Sequence, residues 1–367
     1  MMGRFCWRSV MVVVVWVLLV PTVRAQESST SYYLGARTHM GYIIAHRPGM
    51  GHLIQSHTKA IDLFYEKQTD GSQPWHHTYN FPTWGINFSF VDLGNTEELG
   101  KSASIISFAS FPLIKKEKFQ LNQRVGLGLG FVQKPFDSEE NHKNIAIGSV
   151  VNSNIVFSLE AQRHFGRLSL SGGVVLTHYS NAAFTMPNLG LNIPSIQLSA
   201  AYLMDDRTPD PERNEIPEVD KSWDIRAMAG FGFKEINPPG GKKYGAYVAS
   251  AIFRKPFTPK STFVTGLDLF YNSSIIGIWD QDTTAYSSKL SAAQIGINAG
   301  YSFTLDAFNI YLNMGAYALS EYKEKGTMYH RLGISYLFNN RMVVGCALKT
   351  HWTVADYFEM HIGYKIK

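Results

Sequence analysis

The sequence predicts an all-β chain, a transmembrane antiparallel up-and-down β-barrel of about 12–16 strands. Three observations lead there. Apolar and small or polar residues alternate in segments of roughly ten, the signature of strands that face lipid on one side and a lumen on the other. Beyond residue 26 the sequence contains no long apolar run, so helical membrane spans are excluded. The links between segments alternate short and long, as when tight turns gather at one barrel end and loops at the other.

The alternation is clearest in three segments. In 167–180 the even positions Leu168, Leu170, Val174 and Leu176 form an apolar row, opposite Ser169, Ser171 and Thr177. In 119–132 Phe119, Leu121, Val125, Leu127, Leu129 and Phe131 stand against Asn122, Arg124, Gly126, Gly128 and Gly130. In 290–303 Ile295, Ile297, Tyr301 and Phe303 oppose Gln294, Gly296, Asn298 and Gly300. The same pattern fits 151–163, 195–203, 261–271, 308–318 and 356–366. Tight links fall at Lys115-Lys116, Gly166-Arg167, Asp306 and Asn339-Asn340, and long ones at 136–146, 275–287 and 322–327. One link breaks the rule. The Pro- and acid-rich stretch 205–220 is long yet lies on the short-turn side, and reads as a solvated periplasmic loop. Tyr32, Tyr33, Trp75, Trp84, Trp223, Trp279 and Trp352 lie near segment ends, where an interfacial aromatic girdle belongs.

The first 25 residues read as a cleaved secretory signal: Arg4 and Arg8, an apolar run from Val10 to Val20, Pro21, then small residues at Val23 and Ala25. The expected division is therefore a signal at 1–25 and a barrel at 26–367. Cleavage removes three Arg and no acid, lowering the formal charge from +5 to +2. That is too little to support nucleic-acid binding. Cys346 is the one cysteine beyond the signal, so no intramolecular disulfide is expected. His76-His77 lacks a third ligand at useful spacing, and 205–219 lacks the pattern of a calcium loop.

Chemistry concentrates in 178–192, HYSNAAFTMPNLGLN. His178 and Ser180 are two apart on a strand and so share a face, the outward apolar one. Imidazole beside hydroxyl is the minimum for activating a serine nucleophile. The same pair could equally be polar residues meeting headgroups and water at a strand end. Asn192 shares the even register of Ile196, Leu198, Ala200 and Tyr202, so a hairpin would bring it to the same outward face. Asn is also a common turn residue. Glu160 belongs to the opposite, lumenal row.

The run His178-Tyr179-Ser180-Asn181-Ala182, with Pro187-Asn188 and Gly190, resembles the signature of PagL-type lipid A 3-O-deacylases, outer-membrane β-barrel esterases. The resemblance covers about 15 residues and implies a serine hydrolase that removes an ester-linked acyl chain from lipid A in the outer leaflet. It implies Ser180 as nucleophile, His178 as general base and Asn181 at the oxyanion-stabilising position. The family's third member is a Glu, and that position is Asn192 here. Its carbonyl could hold the imidazole tautomer but supplies no negative charge. The family's barrel has eight strands, so this chain reads as an enlarged relative. Lipid A or lipopolysaccharide and the membrane are the expected partners, with no metal or organic cofactor required. A non-catalytic pore or scaffold barrel, or an outer-membrane phospholipase, remains open on the sequence.

Overall fold

A computed structural model describes residues 31–205, 216, 218–352 and 354–367. The expected signal segment lies outside the described residues. Among the described residues, sixteen antiparallel strands follow one another. They are β1 Tyr32–Gly41, β2 Thr58–Gln68, β3 Thr83–Asp92, β4 Lys101–Lys115, β5 Phe119–Val132, β6 Val151–Phe165, β7 Leu168–Ser180 and β8 Leu191–Leu203. Then come β9 Asp224–Lys234, β10 Tyr244–Thr258, β11 Ser261–Asn272, β12 Ala293–Leu305, β13 Phe308–Ser320, β14 Met328–Phe338, β15 Met342–His351 and β16 Val354–Lys365.

These strands close as two barrels of eight, not one wall of sixteen. β1 pairs with β8 from Tyr33↔Leu203 to Gly41↔Ser195, and β16 pairs with β9 from Phe358↔Phe233 to Lys365↔Arg226. Closure leaves no strand edge, which matters because each unpaired backbone group in lipid costs several kcal/mol. The link that breaks the rhythm joins β8 to β9, and most of 205–220, read above as a periplasmic loop, lies outside the described residues. The link breaks that rhythm because it is the connection between barrels.

The walls are inverted relative to a water-soluble protein. Outward positions such as Ile61, Phe90, Ile196 and Leu198 are exposed, the last two at 67 %, which suits an apolar solvent. Side chains crowd both lumens, as eight strands allow, and leave a cavity of about 40 Å³ beside Arg37, Asp62 and Arg124 in the first. In the first, Arg37 lies 3.7 Å from Asp62 and 3.4 Å from Glu160, and Arg124 lies 2.9 Å from Glu66 and 3.3 Å from Glu160. Glu160 thus points inward, as its parity requires. In the second, Arg331 bridges Asp268 at 2.7 Å and Glu359, while Asp356 gathers Lys234, Lys325 and Lys349. Such charges persist in a lumen because each is paired.

Outer loops add a cap to the first barrel. Ile43, Met50, Leu53, Leu93, Leu99 and Ile147, from three connections, pack with Tyr179 and Leu191 into one apolar cluster. This cap holds the end of β7 and the start of β8 from the lumenal side. The aromatic girdle is only partly as expected. Trp84, Trp223 and Trp352 are exposed on strand ends, whereas Trp279 of the β11–β12 loop packs against Tyr286 of the same loop and Tyr322 of the β13–β14 loop. Burial of a large ring beside its own loop outcompetes the interface there.

The barrels touch at both ends. At the short-turn end the Tyr79 hydroxyl donates to the Thr304 carbonyl at 2.8 Å. Burial, then the nearby Tyr301, pushes that phenol up to about 12, so it stays a donor through the neutral range. At the loop end the Glu235 N–H donates to the Ala183 carbonyl at 2.9 Å.

Candidate active site

β7 presents its residues by parity. Ser169, Val175 and Tyr179 are buried toward the lumen, while Leu168, Leu170, Val174 and Leu176 are exposed outward. His178 and Ser180 continue the outward row to the loop end of the strand. The β7–β8 register makes His178 and Asn192 direct cross-strand partners. Their side chains meet: His178 Nδ1 lies 2.7 Å from Asn192 Oδ1. Since that oxygen only accepts, Nδ1 carries the proton and Nε2 holds the free lone pair.

Asn192 is held in turn by His46, from the β1–β2 connection. The Asn192 side-chain amide donates to His46 Nδ1 at 3.2 Å, and His46 Nε2 lies 3.0 Å from the Leu189 carbonyl. His46 is 146 positions from Asn192, and nothing in the local sequence marks it. It arrives because the chain continues the β1–β8 ladder past Gly41, with Ile44 N–H donating to the Asn192 carbonyl at 2.9 Å.

Ser180 is 9 % exposed. Its Oγ receives the Asn188 side-chain N–H at 3.0 Å and the Ala182 backbone N–H at 3.1 Å, and lies 3.3 Å from Asn188 Oδ1. Among the described residues these are its hydrogen-bond partners, and His178 is not one of them. The hydroxyl is therefore turned toward the loop. Ser153, opposite Ser180 on β6, donates to the Ser180 carbonyl at 2.6 Å and pins the strand end.

Asn181 stands beside the serine, but its side chain builds the turn. Nδ2 donates to Ser149 Oγ at 2.9 Å and to the Thr185 carbonyl at 3.0 Å, while Oδ1 accepts from Thr185 N–H at 3.3 Å. The donors aimed at Ser180 Oγ come from Asn188 and Ala182 instead. Asn188 belongs to the quoted motif, where the resemblance gives it no role of its own. Its approach depends on the loop folding back, with Asn188 Oδ1 accepting from Asn181 N–H at 3.0 Å.

The loop is strained where it serves the site. Ala182 and Ala183 have φ of 56° and 61°, left-handed backbone that costs an L-residue about 1–2 kcal/mol each. Such strain persists only where surroundings over-determine it. Here the Asn181 side chain ties the turn from within, and the second barrel ties it from outside. Besides the Glu235 bond to Ala183, Lys243 Nζ donates to Thr185 Oγ1 at 3.1 Å and sits 5.0 Å from the Phe184 ring centroid. Lys243 also pairs with the buried Glu235 carboxylate. Gly190 closes the loop with φ of 77°, and a Cβ there would lie 3.1 Å from His178 Cε1.

Comparison with known proteins bears on this geometry. The lipid A 3-O-deacylase (PagL) family model matches residues 59–202, the part of the first barrel that carries His178, Ser180 and Asn192. The acyloxyacyl hydrolase C-terminal domain model matches 221–367, the second barrel. The chain belongs to the lipid A 3-O-deacylase (PagL) family. Membership supports an outer-membrane lipid A deacylase, an ester hydrolase whose substrate is lipid A. The enlargement over a single eight-stranded barrel is a second barrel, matched by a model of its own. No curated protein matches the chain. Among solved structures, Neisserial surface protein A matches with 11 % identity and a TM-score of 0.32, over 47 % of this chain and 97 % of that one. A mutant of the Rh. blastica porin matches with 9 % identity and a TM-score of 0.17, over 92 % of this chain and 100 % of that one. Scores this low say nothing about function.

Proposed function

We propose that this chain is a serine esterase that removes an ester-linked acyl chain from lipid A in the outer leaflet, with Ser180 as nucleophile and His178 as general base. The observation that carries this reading is the 2.7 Å bond between His178 Nδ1 and Asn192 Oδ1, which leaves the Nε2 lone pair for a serine two residues away on the same face. The long-loop end of such a barrel faces outward, so the site would lie at the outer-leaflet boundary. Acyl chains in that leaflet could approach the wall laterally and supply proximity without a deep pocket.

In this mechanism Ser180 Oγ rotates from Asn188 toward His178 as the ester arrives. Catalytic hydrogen bonds commonly tighten only in the substrate complex. Oγ attacks the acyl carbonyl while its proton passes to His178 Nε2. The oxyanion is received by Asn188 Nδ2 and the Ala182 N–H, with Asn181 shaping the turn that presents them. Collapse expels the sugar alkoxide, which takes the proton from His178. Water, deprotonated by the same imidazole, then attacks the acyl-enzyme; the acyl–Oγ bond breaks, the imidazole returns the proton to Ser180 Oγ, and the fatty acid leaves. Asn192 orients the imidazole but provides no negative charge for the imidazolium, so turnover is expected below that of a carboxylate triad.

The narrow, side-chain-crowded lumens weigh against a pore, because eight strands leave room for side chains and no wide channel. The deciding experiment is mass spectrometry of lipid A from cells expressing this chain beside cells expressing Ser180→Ala. Loss of one acyl chain only with the intact serine supports the deacylase. Identical lipid A in both, with folded barrels in the outer membrane, rejects it.

A further inference from the structure

We propose that His46 is a positioning residue that makes an amide serve where the family has a carboxylate. The inference rests on the serine-esterase reading and concerns the group behind Asn192. A carboxylate offers two equivalent acceptor oxygens, so either orientation holds an imidazole Nδ1–H. An amide does not. If the Asn192 amide turned by half a revolution, its NH2 would face His178 Nδ1. That nitrogen would then have to accept, the ring proton would move to Nε2, and His178 could no longer take the proton of Ser180. The orientation of the Asn192 amide therefore decides whether the base exists.

His46 sets that orientation. Its Nε2 lies 3.0 Å from the Leu189 carbonyl, a pure acceptor, so Nε2 carries the proton. Its Nδ1 is then a lone pair, and it faces Asn192 Nδ2 at 3.2 Å. The Ile44 carbonyl also lies 3.2 Å from Nδ1 and would favour the other tautomer. The Leu189 bond is the shorter of the two and favours Nε2–H. From the Leu189 carbonyl a single polarity runs through His46, Asn192 and His178, ending on the His178 Nε2 lone pair. The Ile44 N–H bond to the Asn192 carbonyl keeps the two side chains together whatever the rings do.

The test is steady-state deacylation of purified lipid A in detergent micelles by the full-length chain, with heat-dependent gel migration as the check of folding. His46→Ala is expected to lower kcat about tenfold with KM unchanged, because orientation of the base is felt only in the transition state. His46→Gln, whose amide oxygen can accept from Asn192, should restore most of that loss. In an Asn192→Asp background the orientation is no longer needed, so adding His46→Ala should cost less than about twofold. An unchanged kcat in His46→Ala, or the same loss in both backgrounds, overturns the proposal. His46→Leu replaces His46→Ala if the latter does not fold, with the same outcomes. Ser180→Ala is run alongside: retained activity there sinks the serine reading and this inference with it, whereas full loss in Ser180→Ala beside an unaffected His46→Ala removes the inference alone.

Discussion

His178 and Asn192 face each other across β7 and β8 as register partners, and their side chains close a 2.7 Å hydrogen bond on the outer wall of the first barrel. The bond fixes one imidazole nitrogen as donor and leaves the other as acceptor at a lipid-facing strand end. Removing it frees the ring to rotate and to exchange tautomers. Asn192→Leu, similar in shape and unable to accept, is expected to lower deacylation on the order of a hundredfold, the scale of a general base's contribution. His178→Ala should match Ser180→Ala, since the two act as a unit. Lipid A mass spectra of the three variants, at equal barrel content, check this.

Asn188 reaches Ser180 Oγ with its amide at 3.0 Å, next to the Ala182 N–H at 3.1 Å. If these are the oxyanion donors, Asn188→Ala removes one of two. The expected effect is a loss of about 10²–10³ in kcat with little change in KM. A loss confined to KM would instead assign Asn188 to substrate binding.

The second barrel is tied to the site loop through Glu235 and Lys243. Lys243→Ala removes the Thr185 bond, the contact with Phe184 and the partner of a buried carboxylate. The left-handed Ala182-Ala183 pair then loses part of its support, and misplacement of the Ala182 N–H should lower kcat about tenfold. Hydrogen exchange across 181–187 should speed up in the same variant. An unaltered exchange rate would show that the first barrel holds its loop alone.

Arg331 is fully buried in the second lumen between Asp268 and Glu359. Arg331→Met leaves two carboxylates facing each other without a cation. Breaking a buried ionic group by removing one partner costs about 3–5 kcal/mol. The variant should lose the heat-resistant gel migration of its folded form at lower temperature than wild type. Ser180 lies in the other barrel, so a drop in kcat of the still-folded fraction would reveal coupling between the barrels.

Alternation alone determined a great deal about this protein. Period two assigned β5 to β8, β11 to β13 and β16, their lumenal and lipid faces, and the end at which long loops gather. It also placed His178, Ser180 and Asn192 on one outward face, because parity within a strand and across a hairpin is a local property of the backbone. Closure was decided elsewhere. Whether β8 turns back to β1 or continues into β9 leaves every local pattern unchanged, so a sixteen-strand wall and two eight-strand walls look alike along the chain. The long link at 205–220 was the one trace, and only the pairing of Tyr33 with Leu203 gives it meaning. His46, Asn188 and Lys243 reached the site through tertiary structure as well, by a ladder extended past its strand, a loop folded back on itself and a neighbouring barrel. Hydrogen bonds between such distant residues depend on three-dimensional closure, and no spacing in the sequence encodes them.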